Sequence, residues 1–147
     1  GISRWLLTLL SGMRSGDTLA DALGRTVRYS RCTRRERQAI SRLGVLSAVP
    51  SGAALAREGE PGREFVVVLT GGATVFSNGR AISALLAGDH FGDVALLDDG
   101  ISPATVRAAT PMTLAVFGPA EFRTLLDRCP SIARVVLDTP AAGRRAA

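Results

Sequence analysis

A chain of 147 residues, 46% apolar and 21% charged, fits one globular domain whose core stands without disulfides or metal. This composition excludes a disordered chain. No apolar run reaches the ~18 residues of a membrane span, and no secretory signal pattern is present.

The net charge of +5 is unevenly placed. Residues 1–45 hold nine arginines against Asp17, Asp21 and Glu36, a net of +6, whereas the remainder is −1. A basic half admits a nucleic-acid or anionic-membrane partner, and equally a solvated helical face. All eighteen basic residues are arginine, a bias that reports a GC-rich genome before it reports function. Cys32 and Cys129 have no Cys or His at metal-ligand spacing, so free thiols in a reducing cytoplasm are expected. The chain opens on Gly-Ile-Ser rather than Met and is read as a piece of a longer protein.

Residues 2–12 place Trp5, Leu6, Leu9 and Leu10 on one helical face. Asp17 caps a second short helix ended by Gly24. Thr33 caps a third, with Glu36 completing a capping box, Ala39, Ile40 and Leu43 facing inward, and Gly44 at its end. After Gly44 the apolar period changes from 3.6 to 2. Short strands are predicted over 45–49, 53–57, 65–69, 73–76, 81–86, 104–108 and 113–117. Asn78-Gly79 marks a tight hairpin. Pro119 opens a helix to residue 126, and a second runs over 131–137 after Pro130. The expected fold class is therefore α+β: an antiparallel β-roll (jelly roll) of about eight short strands, with helices at both ends. The expected divisions are an N-terminal helical segment 1–44, the roll 45–118 with a binding loop 91–106, C-terminal helices 119–139 and a tail 140–147.

Catalysis has little to work with. His90 is the only histidine, and no nucleophile elbow, zinc-helix motif, Walker loop or dinucleotide glycine pattern occurs. Asp98-Asp99-Gly100 reads as a solvated turn, and no groove-reading helix-turn-helix is evident. What remains is binding. The run 88–93 closes a tight turn, and residues 93–97 then form one helical turn. Free N–H groups at its start, with Gly92 allowing close approach, suit an anion. Asp93 would repel phosphate but accept a sugar hydroxyl, so a phosphorylated sugar is a sensible ligand.

Three stretches now carry a resemblance: VPSGAALAREGEPGREFVVVLTGGATVF from Val49, AISALLAGDHFGDVALLDDG, and PATVRAATPMTLAVFGPAEFRTLL. Together they resemble the cyclic nucleotide-binding domains of the catabolite-activator and protein-kinase-A-regulatory type, over roughly residues 31–137. The resemblance implies a β-roll, an N-terminal helical segment, a C-terminal helical lid, and cAMP or cGMP as ligand, with no other cofactor. The family's phosphate-binding cassette reads F-G-E-x-A-L and then P-R-[ST/A]-A-[TS]-V. Carried over, Gly92 is the glycine whose backbone meets the ligand. Asp93 stands where a glutamate takes the ribose 2′-hydroxyl, and Val94, Ala95 and Leu96 form the small helical turn. Before Ala104, the phosphate-pairing arginine falls on Ser102, and the next anchoring residue on Pro103. Ser102 cannot form a charged fork, and Pro103 has no N–H. His90 and Arg107 are the candidate substitute contacts, with Arg80 a more distant one.

Three functions stay open on these residues. One is a regulatory domain of a larger protein whose affinity for cAMP or cGMP is weakened or lost. Another is a working sensor with atypical anchoring. The third is an interaction or oligomerisation module without ligand. Partners are expected to be a neighbouring domain or a second copy, met through the N-terminal helices or Arg31–Arg37. No nucleic-acid reader is expected, and a membrane is met only through flanking sequence. A cytoplasmic location is expected, including as the cytoplasmic part of a membrane protein.

Overall fold

The computed structural model describes Leu19 and residues 32–138. The helices expected over 2–12 and from Asp17 to Gly24 lie outside the described residues, Leu19 excepted, as does the tail 140–147. Helix α1 (Arg34–Leu43) precedes eight strands: β1 (Val45–Val49), β2 (Ala54–Ala56), β3 (Phe65–Thr70), β4 (Ala73–Ser77), β5 (Arg80–Leu85), β6 (His90–Phe91), β7 (Thr105–Ala108) and β8 (Met112–Phe117). A one-turn helix, α2 (Asp93–Leu97), sits between β6 and β7, and α3 (Pro119–Arg128) and α4 (Pro130–Asp138) follow β8. The strands form two antiparallel four-stranded sheets, ordered β1-β8-β3-β6 and β2-β7-β4-β5. The predicted α+β roll is therefore the observed architecture.

The sheet β1-β8-β3-β6 is covered on both sides, which is why FVVVL reads as a continuous apolar run rather than an alternation. Phe65, Val67 and Leu69 face the helices with Ala115 and Phe117; Val66 and Val68 face the roll interior with Met112 and Leu114. Phe122, Leu125, Cys129, Ile132 and Val136 bring α3 and α4 onto the first face, and Phe122 stacks on Phe65 at 4.6 Å. Asn78 (φ 52°) and Gly79 (φ 77°) make the hairpin between β4 and β5. Both lie in the left-handed region a two-residue turn requires. The ends of the seven expected strands differ from the observed ones by at most one residue. The pair His90–Phe91 forms a strand of its own, too short to carry any sequence period.

The Thr33 capping box is present: Glu36 N donates to Thr33 Oγ1 at 3.1 Å, and Thr33 N to Glu36 Oε1 at 3.0 Å. Glu36 also accepts from the backbone N and hydroxyl of Ser131, each at 2.9 Å. One buried carboxylate thus ties the start of α1 to the start of α4, just beyond the break at Pro130. Cys32 and Cys129 are buried free thiols. Burial, helped by the Glu36 charge, pushes Cys32 up to about 11 and Cys129 upward as well, so both stay protonated and unreactive at neutral pH.

Candidate functional site

The 91–106 loop runs from β6 through α2 into β7. Asp89 anchors its approach: its carboxylate accepts from Leu86 N at 2.8 Å, while its carbonyl accepts from Val68 N at 2.8 Å. Gly92 then turns the chain at φ +96° into α2. A Cβ there would overlap the Glu64 carbonyl oxygen, so the position demands glycine for space as well as for conformation.

The turn Gly59-Glu60-Pro61-Gly62 is zipped to residues 100–102. Gly62 N donates to Gly100 O at 2.8 Å, Ser102 N to Glu60 O at 2.8 Å, and Gly59 N to Ser102 O at 2.9 Å. A Cβ at Gly62 would press on Ala95 and lie 3.0 Å from Ser102 Oγ. The paired turns therefore hold α2 and Ser102 face to face.

Between them lies a recess of about 30 Å³. Gly92, Val94, Ala95, Ser102, Pro103 and Ala104 are brought together there from the loop, and β2, β4, β6 and β7 supply an apolar wall through Ala56, Val75, Phe91 and Val106. That volume holds one or two waters, far less than the several hundred Å³ of pockets that enclose small ligands. None of the ten lining residues is charged, and Ser102 is the one polar side chain among them.

The other predicted contacts lie elsewhere. Asp93 is fully buried and absent from the lining; its Oδ2 is 3.8 Å from His90 Nε2. His90 points to the helix-facing side of its sheet, with its ring 5.5 Å from that of Phe65. Arg107 is exposed and donates through Nη1 to Gly52 O at 3.1 Å, which ties it to the β1–β2 turn. Arg80 is exposed beside the hairpin. The recess thus receives no guanidinium from either arginine.

A larger cleft of about 520 Å³ opens between β1 and β2, with Phe91 shared between it and the recess. Its charged lining groups are Glu64 and Glu121, which would repel a phosphate. Size alone therefore does not make it the nucleotide site. Sequence reading missed the apolar wall of the recess, since Ala56 and Val75 lie in ordinary strands far from the cassette. The contact between Glu36 and Ser131 was equally hidden, because nothing in either local pattern names the other.

The fold meets its counterpart in known proteins. The family model described as cyclic nucleotide-binding domain matches residues 46–129, more than half of the chain, and the chain belongs to that family. A cAMP-dependent protein kinase regulatory subunit from Emericella nidulans is 37% identical over 87 residues, covering 58% of this chain and 21% of the relative. A cyclic nucleotide-gated potassium channel from Rhizobium etli is 34% identical over 91 residues, covering 62% and 25%. In structure, the chain is similar to a regulatory subunit of a cAMP-independent protein kinase A from Trypanosoma brucei, in a triple mutant bound to cAMP. The TM-score is 0.74 at 19% identity, over 92% of this chain and 52% of that one. The chain spans about a fifth to a quarter of the curated relatives' length.

Proposed function

We propose that this chain is a regulatory module of a larger protein, acting by binding and not by catalysis, whose hold on cAMP or cGMP is weakened or lost. The observation that carries the reading is the uncharged recess, with Ser102 where the family places its phosphate-pairing arginine. Hydrogen bonds to charged groups contribute about 1.5–3 kcal/mol each. Losing a bidentate arginine therefore weakens binding by roughly two orders of magnitude or more, and Pro103 withholds a backbone donor besides. The fold itself does not decide the matter, since a similar regulatory subunit is described as part of a cAMP-independent kinase while its triple mutant is bound to cAMP.

The output is read as passing to a neighbouring domain, or to a second copy of the chain, through the N-terminal helical segment. What supports this is the Glu36–Ser131 contact, which joins α4, the expected lid, to α1. A cytoplasmic setting suits the free thiols; among the described residues no helix is long and apolar enough to cross a membrane. The small recess favours one second reading, in which the site is filled by its own side chains and the roll serves as an interaction module.

Titrating the protein with cAMP and with cGMP, while following the amide signals of residues 92–104, tests the proposal. The expected result is shifts that stay unsaturated at micromolar nucleotide. Saturation there would reject it in favour of a sensor with atypical anchoring. Silence even at millimolar nucleotide would reject the atypically anchored sensor and would mean that the hold is lost outright, as the ligand-free module also requires.

A further inference from the structure

Four buried polar side-chain atoms lack any hydrogen bond among the described residues, and all belong to one pair: Nδ1 and Nε2 of His90, and both carboxylate oxygens of Asp93. Their side chains are 1% and 0% exposed, and Nε2 stands 3.8 Å from Oδ2. That separation is just outside hydrogen-bond range, and a movement of under ~1 Å closes it. A buried carboxylate without a partner is costly, so in any well-populated state it accepts a bond from something. One donor stands close, the imidazole. Asp93 itself does not line the recess, but Gly92 and Val94, on either side of it, both do, so a turn of its side chain toward the recess would offer a second donor, a hydroxyl on a ligand there.

The surroundings favour the imidazole in the free protein. Phe91 and His90 alternate across β6, so that Phe91 lines the recess while His90 lies against Phe65 on the helix side. Phe65 in turn packs against Phe117 at 5.8 Å and Phe122 at 4.6 Å. The histidine is therefore held by an aromatic cluster, and Asp93 is the acidic side chain within 4 Å of it among the described residues.

We propose that His90 is a positioning residue: it keeps the Asp93 carboxylate out of the recess, and a ligand hydroxyl must take Asp93 away from it. The proposal rests on the cyclic-nucleotide reading for its ligand, though not for the His90–Asp93 contact itself. In the presence of His90, a ribose hydroxyl gains little on this proposal, because it must displace the imidazole from the carboxylate. Without His90, the same hydroxyl is the carboxylate's only partner, and selectivity for ribose over 2′-deoxyribose rises.

Two measurements test this. The chain has a single histidine, so the long-range proton–nitrogen spectrum of its imidazole reads His90 alone, without any ligand. Asp93→Asn is expected to alter the ring-nitrogen pattern; an unchanged pattern overturns the contact. The second measurement uses Ser102→Arg protein and compares dissociation constants for cAMP and 2′-deoxy-cAMP. Adding His90→Phe is expected to raise the preference for cAMP by about tenfold, the worth of one added hydrogen bond. His90→Asn, which keeps a donor, is expected to retain the lower preference. A parallel loss of both affinities in His90→Phe would show a merely structural histidine and overturn the proposal. Should Ser102→Arg protein bind neither nucleotide, the cyclic-nucleotide reading fails, and the ligand-free spectrum decides the His90–Asp93 contact alone.

Discussion

Gly92→Ala is expected to lower the stability of the domain by about 3 kcal/mol or more. Two effects add. The backbone sits at φ +96°, where an L-residue costs roughly 1–2 kcal/mol. The new methyl would also overlap the Glu64 carbonyl oxygen, a backbone atom that cannot swing aside as a side chain end would. Relief requires the strand entering β3 or the start of α2 to move. Either shift disturbs the row in which Val66 pairs with Phe91. Chemical denaturation of the two proteins measures the loss, and a difference below about 1 kcal/mol would mean that the turn is softer than the geometry implies.

Removing the Glu36 side chain is the second large effect. Glu36→Ala leaves Thr33 N, Ser131 N and the Ser131 hydroxyl without their acceptor, and an expected cost of about 3 kcal/mol follows from losing several bonds to one charge. Burial by itself favours the neutral acid, but the bonds from Thr33 and Ser131 outweigh it and hold the group below its ordinary value of 4.5. The folded state therefore binds the proton less readily than the unfolded chain does. Stability from ionised Glu36 is complete above 4.5 and drains away as pH falls through the lower folded value. Denaturation of wild type and Glu36→Gln across that acid range should show a gap that narrows as pH falls. A gap that stays constant would mean that the charge contributes nothing. Proteolysis or hydrogen exchange at α4 should also quicken in Glu36→Ala, since the tie to α1 is lost.

Much of this fold could be read from local chemistry. Asn78-Gly79 announces its hairpin because few other pairs tolerate two successive left-handed residues. Thr33 and Glu36 announce α1 through a box closed within four residues. The strand runs follow from burial on one or both faces. The site was legible only in part. Spacing says that Asp93 follows Gly92, but not which way its carboxylate turns, and that depends on His90, Phe65 and the aromatic cluster behind them. Alternation puts Arg107 on the same side as Thr105, yet its partner, Gly52 O, is set by the pairing of β2 with β7. Glu36 read as a cap alone, because its second partner lies 95 residues further on. In each case the missing information is long-range packing, which a short window cannot contain.

Ser102 lines the recess, so a guanidinium placed there extends toward the space a phosphate would fill, and a glutamate at 93 gains one methylene of reach. The affinity of Ser102→Arg/Asp93→Glu protein for cAMP, measured beside wild type by calorimetry, is the most direct test of the view that a cyclic-nucleotide scaffold here has a weakened or lost grip on the phosphate. Binding at least about tenfold tighter in the variant is the result predicted, the gain of one charge-assisted contact; equal affinity in the two proteins would contradict it.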